Sequence, residues 1–182
     1  MRKVWICTVA LSLAAFAVSA DEGVGRARAW HDDFRRVSYW NVYGTGNPAK
    51  IECLRPHGMR LSLNHVPFGW PYTYQWSGAR QEVELDIRRF PILKTNLSDV
   101  EGGSYAHLEI SVLDGFGKAV KNFRSETFTH SGLITWDLGK LLDPAVYTVD
   151  LRLIVGGDNA GCSVTYDSIG LEPAPAPHTG LR

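Results

Sequence analysis

The stretch Val149-Asp150-Leu151-Arg152-Leu153-Ile154-Val155 decides the fold class. Apolar residues occupy every second position from 149 onward, and charged residues stand between them at 150 and 152. A period of two sends alternate side chains to opposite faces of a strand, so that one face is buried and the other is wet. The same alternation returns at 82–88, 108–112 and 164–171. Simple alternation in the last run would place Val164 and Tyr166 opposite Ile169 and Leu171. Half-buried strands of this kind are typical of antiparallel sheets.

Turn-forming residues separate these runs and favour tight reversals between strands, for example Gly102-Gly103, Asp114-Gly115 and Asp143-Pro144. No window of ten or more residues has helical spacing, and only residues 138–142 would form a single helical turn. About eight to ten short strands are expected in about 140 residues. The sequence therefore predicts an all-β fold, an antiparallel two-sheet β-sandwich of the jelly-roll type.

The two ends of the chain differ from this interior. Residues 1–20 combine a basic start, an apolar run and a small-residue cleavage site, which is typical of a signal peptide and too short for a comfortable membrane span. We expect residues 21–29 to be a short leader, and residues 173–182, with their alternating prolines, to be an extended tail. The sandwich domain is therefore assigned to residues 30–172, in a protein that is secreted or periplasmic.

The charge balance narrows the range of partners. The 182 residues hold 19 Lys and Arg against 19 Asp and Glu, and removing the signal leaves a net charge of −2. Such a balance argues against nucleic acid as a partner. No second apolar run suggests a transmembrane segment in the mature chain. These counts leave the oligomeric state open.

An aromatic row is the most unusual segment of the sequence. Its members fall on every second position: Phe68, Trp70, Tyr72, Tyr74 and Trp76. In an extended chain these rings would share one side, about 6.6–6.8 Å apart, and flat rings with a polar handle suit a sugar-binding surface. The same alternation would equally fill a sandwich core, although Pro67 and Pro71 favour an edge or a loop. We predict that the ligand-binding residues are Trp70, Tyr72 and Tyr74, with hydrogen bonds from Asn64, His65 and Gln75.

Two cysteines remain once the signal sequence is removed, Cys53 and Cys162. In an exported chain, two cysteines favour one disulfide. This bond would close a loop of about 110 residues and contribute roughly 4–5 kcal/mol. The alternative is a pair of unbonded, buried thiols.

Aspartates near both ends of the predicted domain suggest a calcium site. Asp32 and Asp33 stand at the start of the first strand, and Asp167 stands in the last. If the terminal strands pair, these carboxylates would meet and, with backbone carbonyls, provide the oxygen ligands that Ca²⁺ requires. The alternative is three surface aspartates that never meet.

Several short segments, in this order and spacing, give the sequence a resemblance to the galactose-binding-like jelly rolls. They are 32–34 with Trp40, 83–91, 132–138 and 164–171. Many members of that superfamily are secreted carbohydrate-binding modules. The resemblance implies a structural calcium ion held by Asp33 and Asp167. It does not assign the sugar-binding residues, since ligand sites in the superfamily vary between the sheet face and the end loops.

We therefore predict a secreted, non-catalytic carbohydrate-binding module that stacks aromatic side chains on the sugar rings of a polysaccharide or oligosaccharide. One alternative is a structural or protein-interaction β-sandwich of the cell envelope that binds no glycan. A glycan-active lyase or hydrolase is a further alternative, with Tyr105 and His107 as its polar pair. The glycosidase version is disfavoured because Arg89 stands where a laminarinase-type motif from Glu84 would need a third carboxylate.

Overall fold

Antiparallel strands make up most of the computed structural model, which describes residues 29–44, 49–63, 75–157 and 161–175. The strands are β1 (His31–Asp32), β2 (Asn41–Gly44), β3 (Lys50–Cys53), β4 (Met59–Ser62), β5 (Gln75–Asp86), β6 (Ile92–Glu101), β7 (Tyr105–Leu113), β8 (Ala119–Arg124), β9 (Gly132–Asp137), β10 (Val146–Gly157) and β11 (Ser163–Glu172). Two single turns of 3-10 helix, Val37–Tyr39 and Leu138–Lys140, are the only helical elements of the described residues.

The strands form two sheets. In the first sheet the order is β3-β4-β11-β6-β9, and β1 also pairs with β11. In the second sheet the order is β2-β5-β10-β7-β8. All the pairings are antiparallel, and the inner faces of both sheets contribute to one apolar core. The predicted two-sheet antiparallel β-sandwich is confirmed.

The pairing of β5 with β10 is the longest in the molecule and sets the second sheet. It runs from Val146 opposite Asp86 to Gly157 opposite Gln75. The inward positions of β10 are fully buried, as the alternation predicted: Val149, Leu151, Leu153 and Val155. The residues between them therefore face outward.

Strand β11 departs from simple alternation. Val164, Tyr166, Ile169 and Leu171 are all buried, although strict alternation would put the first two opposite the last two. The pairing with β6 shifts register between Tyr166 and Ile169. An extra residue at such an irregularity reverses which positions face the core, so both halves of β11 contribute to it.

The predicted disulfide between Cys53 and Cys162 is wrong, since both thiols are free. Cys53 ends β3 opposite Met59, whereas the carbonyl of Cys162 accepts a 2.9 Å hydrogen bond from the amide of Leu63. The two cysteines thus lie at opposite ends of β4 and two strands apart. Strand dimensions put their Cα atoms roughly 16 Å apart, far beyond the ~7 Å that a disulfide spans.

Parts of the predicted domain organisation fall outside the described residues, namely the signal peptide, residues 21–28 of the leader and residues 176–182 of the tail. No helix in the described part of the chain is long and apolar enough to cross a membrane.

Candidate functional site

The outer face of the second sheet carries a cluster of aromatic and charged side chains. Strand register arranges these residues in rows that run across the strands. In the first row, Trp76 of β5 and Tyr105 of β7 both stand opposite Gly156 of β10. Since neighbouring strands are about 4.8 Å apart, the Cα atoms of the two aromatic residues are about 9.6 Å apart.

Glycine at position 156 allows the Tyr105 ring to lie flat on the sheet. A Cβ atom there would stand 2.1–2.5 Å from the Cζ, Oη and Cε2 atoms of Tyr105. The ring therefore covers Gly156, and any side chain at this position would displace it. In the first row the Tyr105 ring thus lies over Gly156, and Trp76 stands on the other side of that glycine.

The second row adds two further rings. Tyr43 of β2 stands opposite Gly78, and His107 of β7 stands opposite Ile154. The Tyr43 and Trp76 rings are 5.5 Å apart at an interplanar angle of 46°. The Tyr105 and His107 rings are stacked, at 6.1 Å and 10°. Two ring pairs therefore flank the centre of the sheet, where Ile154 is buried.

The third row is charged and is centred on Arg152 of β10. The guanidinium lies 4.5 Å from the centroid of the Tyr43 ring, a cation–π contact. Its Nη2 is 2.7 Å from Oδ2 of Asp150, and its Nη1 is 3.5 Å from Oε2 of Glu109. Two carboxylates thus orient one half-buried cation beside the aromatic rows, and Oδ2 of Asp150 also lies 3.8 Å from Nη1 of Arg80.

His107 connects the aromatic and charged rows. Nη2 of Arg124 lies 3.4 Å from Nδ1 of His107, and Nε2 of His107 lies 3.1 Å from Oε1 of Glu109. Because a guanidinium only donates, Nδ1 is the acceptor, and the ring donates from Nε2 to Glu109. The hydrogen bond from His107, with the nearby charge of Arg152, holds the pKa of Glu109 below its usual range. Glu109 is therefore ionised at neutral pH.

The outer face of the second sheet thus combines half-exposed aromatic rings with hydrogen-bonding groups that are held in place by their neighbours. No group of three or more His, Cys, Asp or Glu side chains suited to a metal ion occurs in the part of the chain that the structure describes. Fold and surface together define a β-sandwich domain with aromatic side chains on the outer face of its second sheet.

Solved carbohydrate-binding modules have a similar fold. The family 11 carbohydrate-binding module of the cellulosomal cellulase Lic26A-Cel5E of Clostridium thermocellum superposes with a TM-score of 0.59 at 14% identity, covering 83% of this chain and 98% of that chain. The family 11 module from Clostridium thermocellum in complex with a β-1,3-1,4-mixed-linked tetrasaccharide gives a TM-score of 0.57 at 14% identity, covering 82% and 96%. No protein family and no curated protein matches the sequence itself. The chain has the β-sandwich fold of these modules, as the resemblance predicted.

Most of the sugar-binding residues predicted from the sequence lie outside the described residues: Asn64, His65, Trp70, Tyr72 and Tyr74. Gln75 begins β5 opposite Gly157, and its side chain is likewise not described. Their role stays a prediction. Trp76, the last member of the aromatic row, lies on the outer face, where it packs against Tyr43.

The condition for the predicted calcium site is met, since β1 pairs with β11 and Asp32 stands opposite Ile169. Asp32 itself has a local role. Its Oδ1 accepts from the amide of Phe34 at 2.7 Å, and its Oδ2 accepts from Nε1 of Trp40 at 2.8 Å. Both oxygens therefore hold the chain that follows β1.

Asp33 and Asp167, the two predicted ligands, also have protein partners. Oδ2 of Asp33 is 2.7 Å from Nε of Arg35, and Oδ2 of Asp167 accepts from Nδ2 of Asn96 at 2.6 Å. A bound Ca²⁺ would have to compete with Arg35 for the first carboxylate. The calcium site stays a prediction.

Sequence reasoning missed most of the outer face. Tyr43, Glu109 and Arg152 attracted no functional assignment, while Tyr105 and His107 entered only as a lyase alternative. The polar positions between buried ones do mark outward residues. However, strand order depends on contacts between distant segments, and period-two alternation does not predict which strands are neighbours.

Proposed function

We propose that the outer face of the second sheet binds an oligosaccharide or polysaccharide. Trp76, Tyr105 and Tyr43 would stack on sugar rings, while Arg152 and Glu109 would form hydrogen bonds with sugar hydroxyls. The observation that carries the proposal is the register of Trp76 and Tyr105 on either side of Gly156.

The chemistry of a sugar ring supports this proposal. A pyranose presents C–H groups on one face and hydroxyls around its edge, so it is complementary to an aromatic plane beside charged hydrogen-bonding groups. The rings of Trp76 and Tyr105, with Tyr43 beside Trp76, offer more than one ring face on the same surface, which suits a ligand of at least two linked sugars. The ion pairs of Arg80 and Arg152 with Asp150 and Glu109 balance their charges, which favours a neutral glycan over a strongly acidic one.

We also propose that the predicted residues before β5 extend this surface. Residues 64–74 lead directly into Gln75 and then into Trp76, at the aromatic end of the outer face. Trp70, Tyr72 and Tyr74 would add stacking platforms, and Asn64, His65 and Gln75 would add hydrogen bonds. We further propose that the predicted signal peptide directs export of the protein. We also propose a non-catalytic role, in keeping with the fold shared with carbohydrate-binding modules.

The test is native electrophoresis of the purified protein in gels that contain individual soluble polysaccharides. We expect at least one glycan to retard the wild type, and Trp76→Ala and Tyr105→Ala to weaken binding about tenfold each, which is ~1.4 kcal/mol. Phe116→Ala is the matched control, because Phe116 is 97% exposed at the β7–β8 hairpin, away from the aromatic rows.

Circular dichroism of each variant separates lost binding from lost folding. Absence of retardation in every gel, from a folded wild type, would overturn the proposal and favour a structural or protein-interaction role. Equal losses in the Trp76 and Phe116 variants would also contradict the assigned face.

A further inference from the structure

Half of one edge of β5 has no partner among the described strands. β2 pairs with β5 only from Ser77 to Arg80. Along residues 81–85 no described strand lies beside β5 on that side, although β10 continues on the other. Every second residue of such an edge directs its N–H and C=O away from the sheet. This stretch, here called the open edge, can therefore hydrogen-bond another strand.

A groove of about 550 Å³ includes residues 81–84 of the open edge and reaches Val146 of β10, on the other side of β5. Its apolar lining includes the side chains of Trp30, Phe90 and Val146. Glu82 and Glu84 line the same groove from β5, where both are exposed. The groove thus has an apolar side and an acidic rim.

The acidic rim carries charge that the described residues do not neutralise. Asp86, the third carboxylate of the groove, is held by Nε and Nη2 of Arg88 at 3.0 and 3.2 Å, and these hydrogen bonds lower its pKa. Glu82 and Glu84 make no ion pair with any described residue. Their two charges are available to a cationic partner.

A buried acceptor in the same groove also lacks a donor. Oε1 of Gln81 is buried and has no hydrogen-bond partner within the described chain. A buried acceptor without a donor is costly, and a donor from a bound strand would remove that cost once the Gln81 side chain turned toward it. This observation is independent of the acidic rim.

We propose that the open edge binds an extended, basic segment of a partner protein as an added β-strand. Its backbone would pair with residues 81–85, its apolar side chains would pack on Trp30 and Phe90, and its Lys or Arg side chains would meet Glu82 and Glu84. Strand addition of this kind takes affinity from main-chain hydrogen bonds and specificity from alternate side chains.

The open edge begins beside the charged row, since Glu82 stands opposite Asp150, but it lies away from the two aromatic rows, and the proposal does not rest on glycan binding. Trp76 and Glu84 are eight residues apart on β5, which is about 26 Å along the strand. Glycan and peptide could therefore be bound at the same time, and either activity could fail without the other.

The first experiment is fluorescence anisotropy of a labelled hexapeptide of alternating lysine and valine, titrated with the full chain. We expect saturable binding that weakens as salt is added, because exposed charges are screened. The double variant Glu82→Gln/Glu84→Gln should bind at least tenfold more weakly. Glu126→Gln, an exposed acid in the loop after β8, is the control and should bind as the wild type does.

A second pair of probes tests strand addition itself. The hexapeptide is N-methylated either on its lysines or on its valines, which keeps all its charges but removes alternate amide donors. We expect the version whose methylated amides face β5 to lose at least tenfold in affinity. If both versions bind as the parent peptide does, or if the parent peptide does not bind, the proposal is wrong.

A last variant distinguishes a partner protein from the chain itself. Arg26 and Arg28 precede Trp30 and are also basic. Wild-type affinity in an Arg26→Gln/Arg28→Gln variant supports an external partner. A gain in peptide affinity would mean that these arginines compete for the open edge, and would overturn the proposal.

Discussion

Tyr166 places a hydroxyl group in the centre of the apolar core. The side chain is fully buried, and Oη donates a 3.0 Å hydrogen bond to the carbonyl of Ile154. Because Tyr166 belongs to β11 and Ile154 to β10, this bond joins the two sheets. Burial disfavours the phenolate and raises the pKa of Tyr166 far above its usual value.

Replacing Tyr166 measures how much its hydrogen bond contributes to the free energy of unfolding. Tyr166→Phe keeps the ring but leaves the carbonyl of Ile154 without this donor. We expect the free energy of unfolding to fall by about 1 kcal/mol, measured by urea denaturation monitored by circular dichroism. Tyr39→Phe, at a 61% exposed residue, is the control and should be neutral. A neutral Tyr166→Phe would argue against a buried inter-sheet bond.

The raised pKa of Tyr166 also predicts a pH dependence. Above pH ~10 the unfolded chain loses the phenolic proton while the folded protein keeps it, so stability falls by up to about 1.4 kcal/mol per pH unit. Below pH ~10 both states are protonated and the effect vanishes. Urea titrations between pH 9 and 11 should show a shallower decline for Tyr166→Phe than for the wild type. Parallel declines would contradict the burial.

At the scale of elements, β10 organises the candidate site. It lies between β5 and β7, and Gly156 gives room for the ring of Tyr105. The atoms that a Cβ would meet belong to the far end of that side chain, which can move away. A substitution at Gly156 should therefore disturb the binding face and spare the fold.

Gly156→Ala is the corresponding test. Displacing Tyr105 removes one stacking platform, so we expect glycan affinity to fall about tenfold, or ~1.4 kcal/mol, with little change in melting temperature. Affinity electrophoresis and thermal denaturation provide the two readouts. Gly115→Ala is the control, because a Cβ there meets nothing within 4 Å. Unchanged binding in Gly156→Ala would remove Tyr105 from the site.

At the scale of the whole molecule, the two described cysteines are free thiols, so no bond between them contributes to stability. Cys53 is exposed and Cys162 is fully buried. We expect iodoacetamide to alkylate Cys53 in the native protein and Cys162 only after unfolding, as mass spectrometry of proteolytic peptides would show. A reducing agent should leave the melting temperature unchanged. A fall on reduction would contradict the assignment of both cysteines as free thiols.

The predicted calcium ion is also a question for the whole molecule, because it would join the first and last strands. If Asp33 and Asp167 bind Ca²⁺, adding Ca²⁺ after EDTA treatment should raise the melting temperature, by linkage worth about 2.7 kcal/mol at a hundredfold excess over Kd. Asp167→Asn should abolish the rise, and Asp143→Asn, at an exposed acid, should not. No rise in the wild type would exclude a stabilising ion.

The sequence by itself determined the fold class and much of the core. Alternation at 149–155 is a local property of an extended chain with one buried face, so Val149 and Leu153 could be assigned to the core without knowing their neighbours. Strand β11 marks the limit of that reasoning. Its register shift changes which positions face inward, and alternation alone does not reveal it.

Only the tertiary structure decided which residues meet. Trp76 and Tyr105 are distant in sequence, yet both stand opposite Gly156 because β10 pairs with β5 and β7. Strand order likewise separates Cys53 from Cys162, for which the cysteine count alone had predicted a disulfide. The physical reason is that strand order and register are set by contacts between distant segments, whereas hydrophobic alternation records only whether each residue faces the core or the solvent.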